Sequence, residues 1–102
     1  AEDLGYLCAN VWRFGQLHKP VGGFGEYDDL IAGYGSTAGW APDLATIRYW
    51  EIFAALSWGL VCQTMGALWH SGNGDLERAA VARRRSEAEL DILLLIEEWE
   101  RA

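Results

Sequence analysis

Residues 43–70 read DLATIRYWEIFAALSWGLVCQTMGALWH, and between Ile52 and Trp69 this stretch carries no charged side chain. Pro42-Asp43 ahead of it is a helix start signal, because proline fits the approach to a helix and an Asp side chain can accept from the first free amides. Ser71-Gly72-Asn73-Gly74 behind it is a stop. A helix that is apolar nearly all round is either the central helix of a packed bundle or a membrane span. The apolar part is about long enough for a span, which needs roughly 20 residues. It nonetheless contains Ser57, Gln63 and Thr64, includes Gly59 and Gly66, and has Arg48 and Glu51 at its entrance with no basic cluster on either side. The expectation is a core helix sealed among its neighbours, with Trp50, Phe53, Trp58 and Val61 inside.

Working outward toward the N-terminus, Ser36 to Pro42 reads as a loop holding Trp40, and Glu26 to Tyr34 as a short helix with Tyr27, Leu30, Ile31 and Tyr34 on one side. Gly33 and Gly35 predict an early end to that helix. Gly15 to Gly25 is glycine-rich. Its Gly22-Gly23-Phe24-Gly25 run lacks the preceding strand that a phosphate-cradling loop requires, so it reads as a plain turn with Phe24 tucked against a helix. The first helix is expected from about Asp3 to Phe14, with Leu4, Leu7, Cys8, Val11 and Trp12 as its apolar stripe. Toward the C-terminus, Asp75 to about Arg101 reads as one helix, or two with a break near Ser86. Leu90, Leu93, Leu94, Ile96 and Trp99 form its strong stripe.

The pattern predicts an all-α fold, a small helical bundle of about four helices in a single domain spanning 1–102, with the third and fourth antiparallel. At 102 residues and 11.4 kDa, with 51% hydrophobic residues and six Trp, the core margin is thin, and some apolar surface is expected to meet a partner chain or the remainder of a larger protein. A net charge of −7 argues against nucleic acid, which demands a basic stripe. The single basic run, Arg83-Arg84-Arg85, is flanked by Glu77, Glu87 and Glu89 and reads as a solvated face. Cys8 and Cys62, without close pairing or histidine spacing, read as buried free thiols in a reducing compartment, and no leader is visible, so the expectation is cytoplasmic with no membrane partner.

Little here resembles a reaction centre. His18 and His70 lie far from either cysteine, His70 being placed to offset the C-terminal helix dipole. Asp28-Asp29 and Glu97-Glu98 are adjacent on helices, so their side chains diverge. The polar and aromatic group Arg48, Tyr49, Trp50, Glu51 at the entrance of the long helix is the one cluster placed to line a cleft.

Three segments carry a family resemblance. Ala1 to Gly15, AEDLGYLCANVWRFG, resembles the segment that follows the metal-binding and Gly-Asp-Pro motifs of aminoglycoside phosphotransferase-like proteins, in the branch with a Trp-Arg-Phe-Gly turn. PVGGFGEYDDLIAGY is similar to that branch's next loop and short helix, and RYWEIFAALSWGLVC to its long buried helix. The resemblance implies the C-terminal helical part of a kinase-like lobe, from enzymes that move the γ-phosphoryl of ATP to a small-molecule hydroxyl with Mg²⁺ held by acidic residues. The catalytic-loop His-Gly-Asp, the metal-binding Asp, the phosphate-anchoring Lys and the nucleotide loop would all precede Ala1. The resemblance therefore implies no catalytic, cofactor or metal ligand in this chain, with ATP and Mg²⁺ belonging to the parent protein. It implies a place along the acceptor pocket for Trp12, Arg13, Tyr49, Trp50 and Glu51, with the remainder of the kinase-like protein, a small-molecule acceptor or a second copy as partners. The competing expectation is a free-standing helical dimerisation module.

Overall fold

The computed structural model describes residues 1–72 and 74–101. Its element order is α1 (Glu2–Cys8), a 3₁₀ turn (Asn10–Trp12), α2 (Tyr27–Ala38), α3 (Leu44–His70), α4 (Leu76–Ala82) and α5 (Arg85–Arg101). The fold is all-α, a small helical bundle by class. Among the described residues there is no strand, only an isolated antiparallel bridge between Val21 and Gly25. The chain divides into two compact units, Ala1–Ala54 and Ala55–Ala102, and α3 contributes to both.

In the first unit the core is small. Cys8, Val21 and Ile47 are buried together, and Leu4, Leu7, Tyr27, Leu30 and Ile31 pack around them. Gly5 makes the approach of α1 to α3 feasible, since a Cβ there would lie 2.3 Å from Trp50 Cβ and 2.6 Å from the Trp50 carbonyl carbon. The first helix is shorter than the apolar stripe predicts. Ala9 leaves the helix with ψ 148°, the chain makes the 3₁₀ turn, and Phe14 adopts a left-handed φ of 48°. The 20–25 segment is the plain turn expected of it. Val21 donates its amide to the Gly25 carbonyl at 3.1 Å, and Gly22 donates to the Leu7 carbonyl at 3.1 Å. Phe24 is not tucked in but 75% exposed.

The second helix runs four residues past the predicted end at Tyr34, through Gly33 and Gly35. A glycine costs a helix only about 1 kcal/mol. Here that cost is offset by a left-handed cap at Gly39 (φ 79°), whose amide donates to the Gly35 carbonyl, and by the packing of Leu30 and Ile31. Trp40 folds back edge-on to Tyr34, ring centroids 5.7 Å apart. The third helix starts where its sequence says. The Asp43 carboxylate accepts from the Thr46 amide at 2.8 Å, and this bonding to Thr46 holds its pKa below the ordinary value.

In the second unit α3 runs antiparallel to the segments that follow. Gly59 faces Ala88, and one pair of turns later Gly66 faces Ala82, so rising numbers on α3 meet falling numbers opposite. The final segment is two helices, with the break at Arg83-Arg84, near Ser86 as the second of the two alternatives has it. Asp75 caps α4 by accepting from the Arg78 amide at 2.9 Å. Arg84 opens α5 by gripping Glu87 through Nε and Nη2 while its guanidinium stands 5.6 Å over the Trp58 ring. Both cysteines are free and buried, as expected.

Two corrections concern burial. The long helix is not sealed: Ile47, Glu51, Ala54, Ala55 and Cys62 are buried, but Tyr49, Phe53, Leu56 and Leu60, at helical spacing on the opposite side, are exposed, as is Val61. Trp50 and Trp58 are only half-buried. Small residues bring the neighbouring helices close on one side, and among the described residues the other side stays exposed. In α5 the leucines expected inward point outward, and the buried residue is Ala88. Gly59 selects a small partner, so the alanine side wins the interface over the leucine side. By length and composition α3 is one helix apolar enough to cross a membrane, with a mean hydropathy of 1.4 in its most apolar window, of which 17% is buried.

Candidate functional site

The strongest polar assembly lies in the first unit, and three separate elements build it. Arg13, directly after the 3₁₀ turn, reaches back along its own backbone: Nε and Nη2 donate to the Cys8 carbonyl at 3.1 and 3.0 Å, and Nη1 donates to the Leu17 carbonyl at 3.0 Å. Nη2 also donates to Glu51 Oε1 on α3 at 2.8 Å. The other oxygen of that carboxylate, Oε2, accepts from the Tyr27 hydroxyl at the start of α2, at 2.6 Å. Glu51 is 1% exposed. A buried carboxylate survives only with such partners, since taking it out of water unpaired costs several kcal/mol.

The neighbours feel its charge. Burial, then the Glu51 charge, pushes the Cys8 thiol up to about 12, against a smaller opposing pull from Arg13. The Tyr27 phenol is likewise raised, first by burial, then by the Glu51 charge and the hydrogen bond to it. Both groups are therefore held protonated at neutral pH. Cys8 is no nucleophile, because the thiolate is the reactive form. Above the same ring stands the Arg48 guanidinium, 5.9 Å from the Tyr27 centroid.

Of the five residues that the family resemblance implies for a pocket, all lie in this unit. Trp12 and Tyr49 are open to solvent, 46% and 53% exposed, and Trp50 is half-buried against Gly5 with its ring edge-on to both Tyr49 and Phe53. Arg13 and Glu51 meet each other. Sequence reasoning grouped Glu51 with the nearby Arg48 at the helix entrance and did not foresee Arg13 at a separation of 38 residues. It also missed Tyr27, counted only as an apolar contact. The available signal was that a helix core with one carboxylate, Glu51, must find donors from elsewhere in the chain.

Shallow clefts lie among the described residues of the second unit. One, about 170 Å³, is lined by Leu56, Gly59, Leu60, Gln63 and Ile92 with Arg85 and Glu89 at its edge. Another, about 360 Å³, lies among Trp58, Val61, Met65, Arg78 and Val81. Neither contains a buried polar group aimed inward. Among the described residues no three His, Cys, Asp or Glu side chains come together as a metal site.

No family model, no curated protein and no solved structure matches this chain.

Proposed function

We propose that this chain is the substrate-side helical part of a larger, cytoplasmic, ATP-dependent small-molecule phosphotransferase of the aminoglycoside phosphotransferase-like kind. The observation that carries the reading is the bare apolar side of α3. Tyr49, Phe53, Leu56 and Leu60 recur at intervals of four, three and four on a helix whose other side is already buried. A contiguous apolar strip of this kind is seldom left wet. In a kinase-like lobe the preceding part of the protein would cover it.

The residue types fit a scaffold and not a reaction centre. Among the described residues no three His, Cys, Asp or Glu side chains come together, and in this reading the Mg²⁺ and the phosphoryl transfer belong to the part of the protein outside this chain. The Arg13–Glu51–Tyr27 assembly ties the turn after the 3₁₀ segment and the start of α2 to α3. In this reading Arg13 and Glu51 are positioning residues. They fix the backbone that presents Trp12 and Tyr49, whose exposed rings would line the pocket for the acceptor.

The test is to express the complete reading frame that encodes this segment and assay ATP consumption against hydroxylated acceptors, aminoglycosides among them. Acceptor-dependent phosphoryl transfer by the full product, with raised KM for Trp12→Ala and Tyr49→Ala, is the expected result. A reading frame with no catalytic-loop His-Gly-Asp upstream, or a full product that neither binds ATP nor transfers phosphate, would overturn the proposal.

A further inference from the structure

The turn after the 3₁₀ segment places an aromatic residue where the backbone favours glycine or asparagine. Phe14 has φ 48° and Gly15 φ 85°, and the Gln16 amide donates to the Arg13 carbonyl at 2.9 Å, so residues 13–16 form a tight turn with both central positions left-handed. Glycine, asparagine and aspartate dominate such turns, because a side chain in the left-handed region crowds the following carbonyl. Phe14 is none of these, and its ring does little to offset the strain. It is 79% exposed and meets Trp12 edge-on, ring centroids 6.3 Å apart.

What holds the turn is Arg13. Its guanidinium donates to the Cys8 carbonyl ahead of the turn and to the Leu17 carbonyl behind it, and is itself fixed by the buried Glu51 carboxylate. Gly23 lies so close to the same residue that a Cβ there would stand 2.3 Å from the Arg13 carbonyl oxygen. The backbone is thereby pinned on either side of Phe14, whose left-handed φ lets the short connection close.

We propose that residues 13–16 are a two-state latch whose catch is the Arg13–Glu51 contact. Clamped, Phe14 is held left-handed and edge-on to Trp12. Released, Phe14 returns to the ordinary negative-φ region and the two rings part. Strain of this kind persists only where the surrounding structure over-determines the backbone, and here the bonds of Arg13 do so. The latch joins an exposed pair of rings to a buried carboxylate. Because such coupling is reciprocal, whatever favours the clamped rings also tightens the contact with Glu51. It stands whether or not the chain belongs to a phosphotransferase.

Glycine and alanine at position 14 read the backbone angle with the ring removed from both. Glycine is favoured in a left-handed site and alanine in an ordinary one. With Arg13 intact, Phe14→Gly should have an unfolding equilibrium constant about fivefold smaller than Phe14→Ala, the low end for an L-residue held left-handed. With the catch weakened by Arg13→Lys, whose ammonium cannot span both carbonyls and the carboxylate, that advantage should vanish or reverse. In the otherwise wild-type chain, nuclear Overhauser contacts between the Trp12 and Phe14 rings should be present, and Arg13→Lys should abolish them. Glu51→Gln provides a second weakened background should Arg13→Lys fold poorly. No glycine advantage with Arg13 intact, an advantage undiminished in the weakened background, or ring contacts that survive there would each overturn the proposal.

Discussion

Arg13 Nη2 lies 2.8 Å from Glu51 Oε1, joining the turn after the first helix to the N-terminal third of the long one across 38 residues. Both partners are shielded, Glu51 almost wholly. Removing one of them breaks a shielded ion pair, which costs about 3–5 kcal/mol, and replacing both by apolar residues would still take from the Tyr27 hydroxyl and from the Cys8 and Leu17 carbonyls the bonds this pair gives them. Arg13→Met should therefore lower the urea midpoint sharply, Glu51→Met should do the same, and the double variant should lose clearly less than the sum of the two while staying below the wild type. Additive losses in that cycle would show the pair to be uncoupled.

Burial, and after it the charge of the same carboxylate, makes the fold sensitive to alkali. Cys8 and Tyr27 both have folded-state pKa values above their ordinary ones, Cys8 at about 12 against 9.0. A group that binds its proton more tightly when folded contributes stability below its unfolded pKa, and that contribution drains away as pH rises. Above about pH 9 the unfolded thiol ionises while the folded one does not. Stability should then fall by about 1.4 kcal/mol per pH unit from Cys8 alone, and more steeply past pH 10 as Tyr27 joins. Chemical denaturation between pH 7 and 11 reads the slope. Cys8→Ala should flatten its first part and Tyr27→Phe its second, and a slope unchanged by both would reject this origin.

How much of this was legible beforehand follows from what each signal measures. The start of α3 was readable because Asp43 caps it through Thr46, a purely local bond. Its stop at His70, and the start of α4 at Asp75, were readable for the same reason. The sidedness of α5 was not. Periodicity finds where large apolar residues cluster, and Leu90, Leu93 and Leu94 do cluster, but which side is buried is chosen by the opposing helix. Gly59 and Gly66 there accept Ala88 and Ala82 and leave the leucines outside. The polar assembly was half legible: Glu51 stood out in the polar and aromatic cluster at the entrance of the long helix, while its donors, from α2 and the turn at Arg13, are fixed only by the tertiary fold.

Two glycines that look alike in the sequence should respond oppositely to alanine. At Gly5 the new Cβ would stand 2.3 Å from Trp50 Cβ and 2.6 Å from backbone, so α1 must move away from α3 and about 1–3 kcal/mol or more is lost. Gly33 lies mid-helix in α2 with nothing within 4 Å of the added carbon. Alanine there should raise stability by about 0.5–1 kcal/mol through helix propensity. Thermal denaturation of the two variants separates them, and a destabilised Gly33→Ala would mean that the helix does not run through this position.

The two sides of α3 supply the last prediction, which bears on both the fold and the proposed function. Ile47 is fully buried beside Cys8 and Val21, whereas Phe53 is exposed on the bare side. In the isolated chain Ile47→Ala should cost about 2–5 kcal/mol, the range for truncating a core aliphatic, and Phe53→Ser should cost only about 1–2 kcal/mol, for the lost edge-on contact with Trp50 and the poorer helix former. In the product of the complete reading frame the two should converge, because there the preceding part of the lobe would cover Phe53 and serine would face an apolar neighbour. Parallel denaturation of both variants in both contexts gives four numbers. A Phe53→Ser loss that stays small in the full product would mean that this side of α3 remains open, and the kinase-like lobe would lose its main structural support.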